Sequence, residues 1–129
     1  MAATDNIFLD ANIIMELHFG RRAWRAVLEV LAEDSDEANA ISVVSVHVLL
    51  YYVERAKKSK QEVFEFLRNY QILNMNEADY EWAAANDQGD FEDALQVACA
   101  LRHGCKKLIT LDADLAKRHN KHIAVKLVR

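Results

Sequence analysis

Residues 90–115 read DFEDALQVACALRHGCKKLITLDADL, and the order of elements in this stretch decides the fold. Asp90 to His103 has helical apolar spacing, with Asp90 as a capping residue, Asp93 three residues on, and Gly104 as a left-handed terminator. Lys107 to Thr110 is a short β-branched strand leading to Asp112, and Ala113 to His119 makes a further short helix. A helix that turns at once into a buried strand, followed by an acid and another helix, is the grammar of a parallel α/β sheet.

Working outward, the same grammar repeats. Asn6 to Leu9 is a short apolar strand ending on Asp10, and Asn12 to Leu17 follows with apolar Ile13, Ile14 and Leu17 at helical spacing. Arg22 to Leu31 continues as a helix, and the acidic run Glu33 to Glu37 is expected to be a solvated loop. Ala40 to Val44 reads as a buried strand and Ser45 to Arg55 as a helix. Gln61 to Tyr70 and Glu77 to Ala85 are helical, with the strand-like ILNM, residues 72–75, between them and the loop NDQG after them. A last strand is expected from Ile123 to Leu127. The fold class that follows is α/β: a single domain over residues 1–129, a three-layer α/β/α sandwich around a central, mostly parallel sheet of about five strands.

Composition agrees with one globular domain, since the 129 residues are 52% hydrophobic and 28% charged. No apolar run approaches the roughly 20 residues of a membrane span, and MAATDNIF lacks the features of a secretory signal, so no membrane partner and a cytoplasmic location are expected. Cys99 and Cys105, six apart with no second pair, suggest neither a disulfide framework nor a zinc site and read as structural thiols. The net charge of −4 excludes a protein that binds nucleic acid by being basic throughout. The average conceals an asymmetry: Leu101 to Arg129 holds eight basic side chains against Asp112 and Asp114, a local charge of +6, so the first hundred residues carry −10. The absence of proline is compatible with many helices.

Asp10 and Asp112 each follow an apolar strand, and Asp93 lies in the first turn of a long helix. In a parallel sheet, ligands bind beyond the carboxyl ends of the strands, where these three acids converge. Carboxylates brought together repel by several kcal/mol unless a cation compensates, and their oxygens suit Mg²⁺ or Mn²⁺ rather than zinc. Taken singly, each has a plainer role: Asp10, Asp90 and Asp112 are placed to cap helices, and Asp93 to close a capping box with Asp90.

FLDANIIMEL, residues 8–17, and the stretch 90–115 together resemble the PIN-domain family of nucleases, the fold of many bacterial toxins of the VapC type. The resemblance spans nearly the whole chain. It implies a metal-dependent endoribonuclease that hydrolyses RNA phosphodiesters to a 5′-phosphate product, with Asp10, Asp93 and Asp112 holding Mg²⁺ or Mn²⁺. It also places Asp114 at an often acidic position, and Asn12 and Thr110 where polar side chains orient the acids. An RNA substrate, a cognate antitoxin and a homodimer are the partners implied; helical Val48 to Val53, with Tyr51 and Tyr52, is apolar enough to be either the dimer contact or part of the core.

The family usually adds a Glu on the helix after the second strand. In ISVVSVHVLLYYVER that position falls at His47 or Val48, and neither is a carboxylate. His47 is therefore the candidate substitute ligand or phosphate contact, and Glu54, six residues beyond Val48, falls on the wrong face. Arg21, Arg22 and Arg25, with Lys117, Arg118 and Lys121, are the candidate RNA-binding cations. Two other classes remain in view. One is a PIN-like module that binds RNA or protein without cutting. The other is a phosphoryl-transfer domain of the haloacid dehalogenase or receiver kind, against which Asn12 in place of a second acid counts.

Overall fold

The computed structural model of the chain describes residues 6–33 and 37–129. The order of elements is β1 (Ile7–Leu9), α1 (Ala11–Phe19), α2 (Trp24–Glu33), β2 (Asn39–Ser42), α3 (Val43–Arg55), α4 (Lys60–Leu67), β3 (Gln71–Leu73), α5 (Glu77–Asn86), α6 (Phe91–Arg102), β4 (Lys107–Thr110), α7 (Ala113–His119) and β5 (Ala124–Leu127). The five strands form one sheet in the order β3-β2-β1-β4-β5, every pair parallel. From β1 the chain winds outward through β2 to β3, then crosses back to β4 and β5 on the other flank. The carboxyl ends of β1 and β4 therefore flank the switch point, where open α/β sheets bind ligands.

The two-residue period of the strands divides the core into two layers. Ile7, Leu9, Ile41 and Ile109 face one side and pack with Ile13, Ile14, Val27, Leu49, Val53, Val63 and Leu67, all from α1 to α4. Phe8, Ala40, Leu73 and Leu108 face the other side and pack with Val97, Cys99, Ala100 and Leu115 from α6 and α7. Since all of these strand side chains are buried, both faces of the sheet are covered, as a parallel sheet requires.

Several boundaries differ from the sequence reading. Val43 and Val44 were expected to finish the second strand, yet α3 begins at Val43, because the Ser42 side chain caps the helix by accepting the Ser45 N–H at 3.2 Å. The cap outweighs the β-branched preference of two residues. The fourth helix stops at Leu67 rather than Tyr70, and the third strand covers Gln71–Leu73 rather than residues 72–75. Asn74 is withdrawn from the sheet because its carbonyl oxygen accepts from Arg102 at 2.8 Å. The second helix runs on through Glu33, and the remainder of the expected acidic loop, residues 34–36, lies outside the described residues. Gly104 ends the α6 region with φ +71°, a conformation that favours glycine, as its placement implied.

Arg102 also ties α5 to α6. Its Nε donates to Asp79 Oδ1 at 2.7 Å and its Nη2 to Asp79 Oδ2 at 3.0 Å, while Asp79 itself is 1% exposed. A carboxylate this deep is tolerable because it is paired twice and also accepts the Asn76 N–H in a capping box. Cys99 and Cys105 are free and buried, and burial pushes their thiols up to about 12 and about 11, so both are inert packing residues. No helix among the described residues is long and apolar enough to cross a membrane.

Replacing Arg102 by Met leaves Asp79 buried without its partner. Chemical denaturation should show a loss of about 3 kcal/mol, and a change below measurement error would mean that the pair contributes nothing to stability.

Candidate functional site

Parallel pairing of β1 with β4 sets Phe8 beside Leu108 and Leu9 beside Ile109, which brings the next residues, Asp10 and Thr110, together at the carboxyl edge. Asp10 is the N-cap of α1, its Oδ1 accepting the Ala11 N–H at 2.8 Å. Its Oδ2 accepts the Thr110 hydroxyl at 2.8 Å and the Asn12 amide at 3.0 Å. Thr110 Oγ1 accepts the Asp112 N–H at 3.0 Å, and Asn12 Oδ1 accepts the Leu111 N–H at 3.1 Å. The two polar residues thus lace the ends of β1 and β4 and hydrogen-bond to Asp10 and to the backbone at Leu111 and Asp112.

Asp112 caps α7, its Oδ1 accepting from Asp114 N at 2.9 Å and Leu115 N at 3.4 Å. Asp93 sits in the first turn of α6, its N–H donating to Asp90 Oδ1 at 3.0 Å, so Asp90 is the N-cap of this helix. The capping box envisaged between them is half formed: the side chain of Asp90 accepts, while Asp93 Oδ2 instead accepts from Arg118 Nη1 at 3.3 Å. Asp114 is exposed, and its link to the site runs through its backbone N–H.

Two of the acids are perturbed by their surroundings. Burial pushes the Asp10 carboxyl up to about 6, with the charges of Asp112 and Glu92 adding to the rise against the hydrogen bonds from Thr110 and Ala11. Burial likewise pushes Asp93 up to about 7, with Asp90, Asp10 and Asp112 raising it further and Arg118 opposing them. Asp93 on α6 therefore feels both Asp10 and Asp112, and Asp10 feels Asp112. As the side chains stand, no three His, Cys, Asp or Glu residues among those described are grouped as a finished metal cage. Asp93 is turned to Arg118, and Asp112 to the backbone of α7. The donor set nevertheless fits a hard divalent cation, being oxygen throughout and carrying more negative charge than Arg118 offsets.

His47 is not brought to these acids. It is exposed and lines a groove between α3 and α4 with Leu50, Tyr51, Glu54, Lys60 and Phe64. Helix geometry gives the reason. Ser45 is buried and accepts from Gln96 Nε2 of α6 at 2.9 Å, and His47, two residues on, points about 200° away from it. Val48 lies on the Ser45 side and packs against the apolar core, so α3 presents no carboxylate there. Among the expected RNA-binding cations, Arg21 lies over Phe19 at 5.3 Å and Arg25 over Trp24 at 5.2 Å. Arg22, Lys117 and Lys121 are exposed, whereas Arg118 is drawn into the site.

Two features escaped the sequence reading. Gln96, 1% exposed and three residues beyond Asp93 on α6, accepts the Ser42 hydroxyl at 2.7 Å and donates to Ser45, forming a buried polar bridge between α6 and the start of α3. A lone Gln inside the apolar run ALQVACAL was the available signal. The Arg118–Asp93 pair had no such signal, because nothing in the spacing aims one of eight C-terminal cations at α6.

This arrangement, carboxylates at the switch point of a five-stranded parallel sheet, defines a class of acidic-edge α/β domain. The family model for the PIN domain matches residues 7–121, and the chain belongs to that family. A curated relative, Ribonuclease VapC1 of Aquifex aeolicus, is 25% identical over 120 residues, covering 84% of this chain and 83% of the relative. Among solved structures, the toxin–antitoxin complex from Klebsiella pneumoniae is similar with a TM-score of 0.76 at 24% identity, over 95% of this chain and 98% of that one. VapBC2 from Rickettsia felis bound to a promoter DNA fragment gives 0.71 at 20% identity, over 95% and 98%. FitAcB from Neisseria gonorrhoeae gives 0.70 at 20%, over 92% and 95%. The chain is thus a PIN domain in family and in fold.

Asp93 carries a pH signature. A carboxyl raised from its ordinary 3.8 to about 7 favours the folded state while protonated, and that contribution is lost as pH rises through 7. In metal-free protein, the stability of the wild type relative to Asp93→Asn should therefore fall between pH 4 and pH 8, measured by urea denaturation in a chelator. A constant or rising difference would mean that Asp93 is not crowded by its neighbours.

Proposed function

We propose that this chain is a divalent-cation-dependent endoribonuclease that hydrolyses RNA phosphodiester bonds, the toxin of a toxin–antitoxin pair. The observation that carries the reading is the placement of Asp10 and Asp112 at the ends of β1 and β4, at the switch point of the sheet, where both carboxylates act on Asp93 of α6. The named relative, a ribonuclease, and the toxin–antitoxin complexes of the same fold support it.

Asp10, Asp93 and Asp112 would hold Mg²⁺ or Mn²⁺, which when bound supplies a water of lowered pKa and neutralises charge at the phosphate. The protein's part is to fix the ligands. Thr110 and Asn12 hold one oxygen of Asp10 and leave its carboxylate unable to rotate away. Asp90 and Asp112 order the first turns of α6 and α7, which set the height of Asp93 and Asp114 above the sheet edge. Gln96, through Ser42 and Ser45, keeps α6 in register with the neighbouring strand end. The exposed cations at Arg21, Arg22, Arg25, Lys117 and Lys121 supply a positive surface for the RNA backbone. A cytoplasmic homodimer, with exposed Tyr51 and Tyr52 of α3 as the contact, and a cognate antitoxin complete the reading.

A second reading, a PIN-like module that binds RNA without cutting, is favoured by one observation: α3 offers His47 on the wrong face and apolar Val48 where a further acid would stand.

Calorimetric titration of Mn²⁺ and cleavage of an unstructured RNA, run on wild type and Asp93→Asn, separate the two. The ribonuclease reading expects metal-dependent cleavage that falls about a hundredfold or more, together with weakened Mn²⁺ binding, in the variant. RNA binding with no cleavage at saturating Mn²⁺ would establish the binding module instead. A Val48→Glu variant that cleaves faster than wild type would identify the missing acid as the limit on rate.

A further inference from the structure

We propose that Arg118 is the exchangeable counter-ion of the acidic edge, holding Asp93 while no divalent cation is bound and releasing it when one arrives. The proposal rests on the metal-dependent reading above and deepens it. Asp93 is 9% exposed, and a carboxylate this deep needs a positive charge to face it when no metal does. Arg118 supplies that charge from α7, across 25 residues of sequence.

The geometry is that of a pair able to part. One nitrogen meets one oxygen at 3.3 Å, and the arginine side chain keeps 29% of its surface in solvent. The chain provides its own contrast in Arg102 and Asp79, where two nitrogens meet two oxygens at 2.7 and 3.0 Å around an almost fully buried acid. That second pair is a clamp. The first leaves the guanidinium a path back to water, the favoured location for a charged head on a long stem.

Its backbone, meanwhile, does not depend on the pair. Buried Leu115 and His119 anchor α7 against the core, Asp112 caps its start, and Gln88 Nε2 donates to the Arg118 carbonyl at 3.2 Å. The side chain can therefore leave Asp93 without moving the helix that carries Asp112. A cation that takes Asp93 Oδ2 displaces Arg118, because one carboxylate oxygen cannot accept both charges in the same direction. Arg118 then acts as a built-in competitor that lowers the affinity for metal and answers the charge of Asp93 until metal binds. Arg118 is a positioning residue in this scheme, acting through Asp93.

The test is calorimetric titration of Mn²⁺ into the intact protein at fixed pH and ionic strength, comparing wild type with Arg118→Met, Arg118→Gln and Arg118→Lys. Removing the charge should lower the Kd for Mn²⁺ about tenfold in the Met and Gln variants, while Lys stays close to wild type. Thermal melts supply a readout that needs no cleavage. The metal-free Met and Gln variants should melt below wild type, and the gap should close at saturating Mn²⁺. The Gln variant keeps a polar head, so it serves where the Met variant does not fold. Unchanged or weaker Mn²⁺ binding in the charge-removing variants overturns the counter-ion role while leaving the metal site standing. Wild type that shows no Mn²⁺ binding sensitive to Asp93→Asn overturns both.

Discussion

The parallel pairing of β1 with β4 is the constraint on which the site depends. Three register pairs, Ile7 with Lys107, Phe8 with Leu108 and Leu9 with Ile109, fix where the two strands end, and that alone sets Asp10 against Thr110. A slip of one residue would turn Phe8 to the face of Ile7 and Leu9, bury the wrong side chains on both sides of the sheet, and part the acid from its hydroxyl partner. The apolar core thus protects the polar edge, since the same alternation of side chains determines both.

At that edge the fold accepts a local cost. Burial disfavours the charged form of a carboxyl, and neighbouring carboxylates add to the penalty, which is why Asp10 and Asp93 are held well above the ordinary carboxylate range. Elsewhere the chain places charge conventionally: Asp79, deeper still, is answered twice by Arg102. The difference between a paired acid and a group of under-compensated ones is what the proposed cation site rests on. Hydrogen bonds from Thr110, Asn12 and the helix caps offset part of the cost and give each acid a fixed direction.

Much of this was legible in the sequence, and for identifiable reasons. Strands such as IFL and KLIT followed by Asp10 and Asp112 combine a buried run with an acid at the one place an α/β sheet exposes it, so the strands, the layers and the three acids could be located together. Capping also spoke clearly at Asp90 and Gly104. Boundaries were less legible where two local preferences competed, as at Val43 and Val44, whose β-branched side chains suggested strand until the cap from Ser42 prevailed. His47 was misleading because linear position on α3 does not reveal rotation about its axis, and two residues carry a side chain to the opposite face. The partner of Asp93 was hidden altogether, because Arg118 reaches it only through the packing of α7 beside α6.

Anomalous diffraction from a crystal of the intact protein soaked in Mn²⁺ tests the central claim most directly, since it reads the site without depending on catalysis. The account predicts a difference peak between Asp10, Asp93 and Asp112, with Arg118 withdrawn from Asp93. A well-occupied soak in which manganese appears elsewhere on the surface, and the Asp93–Arg118 contact persists, would contradict it.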